Sequence, residues 1–251
     1  MKKQVQLLVA LFVVVELLAI STRHLHIDGR LPESVELASN EAFNRNPRLE
    51  ECLLSSGRDI TTAGCIHGDG PLAAVLVGDS HANAVVSSIV EATHGDGSVQ
   101  EFSYNSCPTL LGLHSKMAGS ECAAFNERLI DKLATPSKVP IIVVARITGS
   151  IFGYNEVHQY HNIPTIYFGH DIQQKASAVL ADYETQQIKT LCKLSESRPV
   201  YLMRPLPEMV VDVPNTLYRN QMFLGAQSDY SIPIADYYSR HDAIWQAQDK
   251  A

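Results

Sequence analysis

The sequence predicts an α/β fold: a three-layer α/β/α sandwich around a mainly parallel sheet, preceded by one N-terminal transmembrane helix. Two observations carry the sandwich. Apolar runs of strand length alternate with helix-length amphipathic runs from residue 73 to residue 203. Two of the strand-length runs, 73–77 and 139–145, are apolar on both faces, as in a sheet covered on both sides. A third observation carries the leading helix: Lys2 and Lys3 precede a run from Val5 to Ile20 that is apolar except for Gln6 and Glu16. With 251 residues, 45% of them hydrophobic, the chain can bury a real core. Its net charge of -7 and its lack of a basic, aromatic-interleaved stretch set nucleic acid aside as a partner.

Residues 1–22 read as a transmembrane anchor or a signal segment. Ala19 and Ser21 are small, but no clean cleavage motif follows them, so an uncleaved anchor is the expectation. The lysine pair then holds the N-terminus in the cytoplasm and sends the rest of the chain outward. Membrane lipid then surrounds a single-pass helix, with the domain outside the cytoplasm. The cysteines agree with export. Cys52 and Cys65 lie shortly before the first strand, Cys107 and Cys122 bracket a loop after it, and neither spacing matches a metal motif. Two short-range disulfides are expected, 52–65 and 107–122, each contributing about 3 kcal/mol in the chain-entropy model. Cys192 is left over. No metal or other cofactor is expected.

In order along the chain, residues 23–50 are polar and read as a linker with one short helix near 34–44, and the globular domain is expected over 51–251. The first strand is 73–77 and a helix follows over 81–92. Gln100 to Tyr104 makes a second strand, and apolar positions at helical spacing (Ala124, Phe125, Leu129, Ile130, Leu133) make a helix of 121–134. Val139 to Ala145 is expected in the middle of the sheet. A strand over 163–168, an amphipathic helix over 171–194 and a buried strand at 200–203 complete the pattern.

The chemistry concentrates where the first strand ends, in Gly78-Asp79-Ser80-His81. In an open parallel sheet this turn lies at a carboxyl edge beside a helix N-terminus, whose free N–H groups favour negative charge. Ser80 is therefore the candidate nucleophile. The plainer reading is a turn and an N-cap, since Asp and Ser are ordinary cap residues. The stretch is neither G-x-S-x-G nor G-x-G-x-x-G, because Gly78 is the only glycine near the serine.

Blocks far from this turn support the nucleophile. Gly78-Asp79-Ser80-His81-Ala82, the loop Ser106-Cys107-Pro108-Thr109-Leu110-Leu111-Gly112, Val143-Val144-Ala145-Arg146 and Thr190-Leu191-Cys192-Lys193-Leu194 follow one another along the chain. Val200-Tyr201-Leu202-Met203-Arg204-Pro205-Leu206-Pro207-Glu208-Met209, with Asp212-Val213-Pro214 after it, is the fifth. Together they make residues 51–245 resemble the SGNH (GDSL-like) hydrolase domain at the periplasmic end of acyltransferase-3 membrane proteins, which O-acetylate bacterial surface polysaccharides.

The resemblance implies an SGNH hydrolase-like sandwich and an acyl-enzyme reaction. Ser80 attacks an acyl carbonyl and passes the acetyl group to a sugar hydroxyl or to water, so the implied activity is O-acyltransferase or carbohydrate esterase on an acylated glycan. A multi-span membrane acyltransferase is the implied protein partner. The oxyanion donors would be the Ser80 N–H and Gly112. The family's motif asparagine has no counterpart, and Arg146 occupies its neighbourhood, with a salt bridge as its alternative role. The family's base comes from an Asp-x-x-His pair, and no such pair occurs in residues 210–251. The histidines that remain as candidates are His241, in a stretch resembling one that precedes the family's pair, and His81; the loop pair His170-Asp171 ranks below them. On this reading the SGNH-like domain is incomplete at its C-terminus. The alternative function is a catalytically incompetent remnant, or a module that binds glycan or a partner.

Overall fold

The computed structural model describes residues 2–23, 29, 31–61, 64–157, 161–225 and 229–251. In chain order its elements are α1 (Lys2–Arg23), α2 (Glu33–Glu41), α3 (Leu49–Cys52), β1 (Leu53–Leu54), β2 (Cys65–His67), β3 (Leu72–Gly78), α4 (Ser80–Glu91), β4 (Ser98–Tyr104) and β5 (Leu113–Ser115). They continue with α5 (Cys122–Leu133), β6 (Ile141–Val144), α6 (Ile147–Phe152), β7 (Ile166–Phe168), α7 (Ala176–Ser195), β8 (Val200–Leu202), α8 (Val213–Leu224) and α9 (Ile234–Asp249). Two compact units divide the chain, residues 1–43 with 214–228, and residues 44–213 with 229–251. The first holds α1, α2 and nearly all of α8. Lys2–Thr22, with mean hydropathy 2.4, is long and apolar enough to cross a membrane.

The second unit is built on one sheet of order β1-β4-β3-β6-β8, with β2 antiparallel against Val99–Glu101 on the outer edge of β4. The contacts β4–β3, β3–β6 and β6–β8 are all parallel, so the carboxyl ends of these four strands share one rim. The side-chain period of two then sorts β3 between two cores. Val75 and Val77 join the larger cluster with Phe125, Leu129, Val179, Leu194 and Ile244. Leu76 faces the other way, onto Ala82 and Val86 of α4. Helices therefore cover both faces of the sheet, as the sequence predicts. Each large aliphatic side chain buried this way contributes about 2 kcal/mol.

A polar cluster holds α4 in place beneath this layer. Asn83 of α4 donates to Glu101 Oε1 at 2.7 Å, and Ser103 hydrogen-bonds the same carboxylate. His67 Nε2 lies 2.7 Å from Glu101 Oε2. The side chain of Asn46 donates to the Asn83 carbonyl at 3.2 Å. Glu101 is fully enclosed, and a buried carboxylate persists only with partners of this kind.

Both disulfides are present, Cys52–Cys65 and Cys107–Cys122, and Cys192 is a free, exposed thiol. Two strand expectations need correction. The run 163–168 is extended only over Ile166–Phe168 and lies outside the main sheet, in an antiparallel ribbon with Leu113–Ser115. Pro164 has no N–H for a ladder, and the chain there follows α6, with Thr165 N donating to Ser150 O at 2.9 Å. The strand expected at 200–203 is the edge strand β8, where Tyr201 is 62% exposed and therefore not buried.

The closest approach in the sheet is at Gly78. A Cβ there would lie 1.7 Å from the Val144 carbonyl oxygen, inside any allowed contact. Gly78→Ala is expected to cost roughly 3 kcal/mol or more by forcing β3 and β6 apart, read as a loss of the urea midpoint. An unchanged midpoint would contradict this packing.

Candidate active site

The nucleophile turn is built from the end of β3 and the start of α4. Asp79 is the N-cap, with its Oδ1 accepting from His81 N at 2.8 Å. Its Oδ2 accepts from Arg146 N, also at 2.8 Å, at the turn between β6 and α6. One carboxylate thus joins two strand-to-helix turns at neighbouring positions on the rim. Asp79 is 2% exposed. Burial pushes its carboxyl above the ordinary carboxylate range, against the opposing pull of His81 and of the two N–H donors.

Ser80 is the first residue of α4 and is half-buried. Among the described residues nothing hydrogen-bonds its hydroxyl. Its N–H belongs to the first turn of the helix, where no intrahelical acceptor exists, so it is free to meet an oxyanion. The register of β3 pairs Gly78 with Ser103 on one side and Val144 on the other. The loop after β4 and the turn after β6 therefore flank Ser80 on the rim.

The loop after β4 is strongly tethered. The Cys107–Cys122 disulfide ties it to α5, Asn126 donates to the carbonyls of Pro108 (2.8 Å) and Leu110 (3.0 Å), and Leu111 N donates to Thr190 of α7 at 3.0 Å. Ser106 starts this loop with φ 55°, a left-handed conformation uncommon for serine. Gly112, at φ 69°, ends it and bends the chain into β5; the nearest atom to a Cβ there is on Gln186 of α7, at 4.0 Å.

The turn after β6 rests on an ion cluster. Glu208 Oε1 accepts from Arg146 Nε (2.9 Å) and Gly149 N (3.0 Å), and Oε2 accepts from Arg240 Nε (2.9 Å) and Nη2 (2.7 Å). Arg146 also pairs with Glu156 at 2.7 Å, and its guanidinium stands 4.7 Å from the Tyr154 ring centroid. Burial alone would raise the Glu208 carboxyl, but the two arginines hold it below its usual range.

Across residues 51–251 the sequence matches the model of the family described as SGNH domain (fused to AT3 domains). The chain belongs to this family. The structure of the Salmonella ser. Paratyphi A lipopolysaccharide acetyltransferase periplasmic domain has a similar fold. The TM-score is 0.50 at 12% sequence identity, over 87% of this chain and 78% of that one. No match was found among curated proteins.

Within this SGNH domain the residues singled out from sequence fall into separate places. Arg146 sits beside the Ser80 turn, but the group aimed at that turn is its backbone N–H. Its guanidinium pairs with Glu156 and Glu208, the salt bridge that the sequence offers as its alternative role. His81 turns its ring back toward Asp79, with Nδ1 3.6 Å from Oδ1. His241 is 1% exposed, with Nδ1 2.7 Å from Thr148 Oγ1 on α6 and its ring 4.7 Å from that of Tyr237. Burial lowers its pKa below 6.5, so the neutral form is favoured. Neither histidine hydrogen-bonds Ser80, and neither does the exposed pair His170-Asp171. The ion cluster around Glu208 is absent from the sequence reading, although Glu208, in Pro205-Leu206-Pro207-Glu208, stood in a quoted block. An acid among prolines after a strand was its one signal.

Because the folded-state pKa of Glu208 is depressed, its contribution to stability is present above the ordinary carboxylate pKa of 4.5 and is lost as pH falls through the folded value. Glu208→Gln is expected to lower stability at pH 7 by about 3 kcal/mol, removing the carboxylate that pairs with Arg240 and leaving Arg146 with Glu156 alone. It should also weaken the dependence of denaturant-derived stability on pH below 4.5. A variant as stable as wild type at pH 7 would contradict the clamp.

Proposed function

We propose that this SGNH domain takes part in O-acyl (acetyl) transfer to cell-surface polysaccharide, or in hydrolysis of esters on it, with Ser80 as nucleophile. α1 would anchor it in the bacterial inner membrane with the domain on the periplasmic side. The observation that carries this reading is the Ser80 turn: a half-buried serine whose hydroxyl has no hydrogen-bond partner among the described residues, beside a free first-turn N–H on the common strand-end rim. The family's fusion to AT3 domains supports a membrane acyltransferase as partner, and the similar Salmonella domain belongs to a lipopolysaccharide acetyltransferase.

In the reaction the Ser80 Oγ adds to the acyl carbonyl, its proton passes to a base, and the leaving alcohol departs protonated. The acyl group then moves from Oγ to a sugar hydroxyl or to water. The helix N-terminus and the Ser80 N–H favour the anionic intermediate. The base is what these residues do not supply in place: both candidate histidines are turned to other partners. That favours a second reading, in which the chain alone binds glycan or partner but turns over slowly. Loss of a triad member typically costs several orders of magnitude in rate.

The purified chain is expected to hydrolyse p-nitrophenyl acetate at close to the buffer rate, with Ser80→Ala no slower; a fast rate that vanishes in Ser80→Ala would sink the slow reading. In cells that make the protein, Ser80→Ala is expected to reduce O-acetylation of the surface polysaccharide, measured by mass spectrometry. Unchanged acetylation there would overturn the acyl-transfer reading itself.

A further inference from the structure

A cleft of about 560 Å3 is lined by residues that follow β4, β5 and α6, and nothing in the reaction described above uses it. Ser106, at the end of β4, forms one wall, and Ser115 and Lys116, at the end of β5, form another. Tyr154, His161 and Thr165, after α6, close it. Its size suits a small ligand or one end of a longer one.

The cleft is tied to the nucleophile by short links. Ser106 lies three residues past Ser103, the β4 residue that pairs with Gly78, and it is held at φ 55°, the kind of strained backbone that collects at functional sites. On the opposite wall the Tyr154 ring lies against the Arg146 guanidinium, and the backbone of Arg146 bonds Asp79, the neighbour of Ser80.

Charge sets the cleft apart. The chain carries 27 acidic and 20 basic residues, yet among the described residues no Asp or Glu lines this cleft. Lys116 lines it half-buried, and among the described residues no carboxylate lies within ion-pair distance of its ammonium. His161 lines the same cleft with its ring 4.7 Å from that of Tyr154, and its Nδ1 is enclosed and without a hydrogen-bond partner among the described residues. A partly enclosed cation beside hydroxyls and an imidazole, in a protein whose overall charge repels anions, is a local device for holding one.

We propose that this cleft binds the glycan of the acyl-transfer reaction through an anionic sugar residue, with Lys116 recognising its carboxylate or phosphate. The assignment rests on the acyl-transfer reading for the identity of the ligand as a glycan, but its test reads binding alone and needs no turnover.

The full chain in phosphatidylcholine nanodiscs is titrated calorimetrically with trigalacturonate, glucose 1-phosphate and maltotriose. At least one of the two charged saccharides is expected to bind ten-fold or more tightly than maltotriose, and less tightly as salt rises. Which of them binds tells carboxylate from phosphate. Lys116→Met is expected to lose ten-fold or more of that affinity, and Lys116→Arg to keep most of it, with both variants melting at the wild-type temperature. Lys116→Gln serves in place of Lys116→Met if the latter melts lower. Equal binding of maltotriose, binding of neither charged saccharide, or full affinity in a folded variant without the lysine charge would each overturn the proposal. Such a failure leaves the Ser80→Ala acetylation result untouched, so the two readings fail separately.

Discussion

The Asp79 carboxylate is the contact on which the geometry of the rim depends. Each of its oxygens accepts one backbone N–H, one from its own helix and one from the turn after β6, 67 residues along the chain. Because both donors are main chain, the bond fixes the path of two turns whatever side chains they bear. Gly78 makes the arrangement possible, since only a residue without a Cβ lets β3 pass so near the Val144 carbonyl. A carboxylate fully withdrawn from water is costly unless its lone pairs are met. Meeting them here means holding Ser80 at the head of α4.

The turn that reaches Asp79 is itself braced from behind. Glu208 gathers Arg146, Gly149 and Arg240, so the end of the sheet, the short helix α6 and the final helix α9 converge on one carboxylate. Gly149 is small for the same reason as Gly78, because a Cβ would press on Arg146 Nε and Glu208 Oε1 at 2.9 Å. Two buried acids in succession thus carry order from α9 to the nucleophile. The inner one binds backbone, and the outer one binds side-chain cations.

How much of this was legible depends on the range of each interaction. The β3 strand, the Gly78-Asp79-Ser80 turn and α4 read directly from sequence, because an apolar run, a glycine and a cap are local signals. Val139 to Ala145 revealed an inner strand by being apolar on both faces, and cysteine spacing read together with the exporting segment was enough for both disulfides. The β5–β7 ribbon was not legible: strands of three residues offer a single alternation, and Pro164 blurs even that. The Glu208 cluster joins residues 62 and 32 positions apart, and no periodicity announces such a meeting. His241 reads as an available base in sequence and is a buried partner of Thr148 in space, a difference that only tertiary packing decides.

The Cys107–Cys122 bond carries a consequence for timing. It closes the loop that begins at Ser106, and so one wall of the cleft is fastened by a covalent link that forms only under oxidising conditions. In a reducing compartment the same loop keeps only its hydrogen bonds, those from Asn126 to Pro108 and Leu110 and that from Leu111 to Thr190. Oxidation therefore adds a covalent tether to a wall that hydrogen bonds already place, and export to an oxidising compartment is what supplies it.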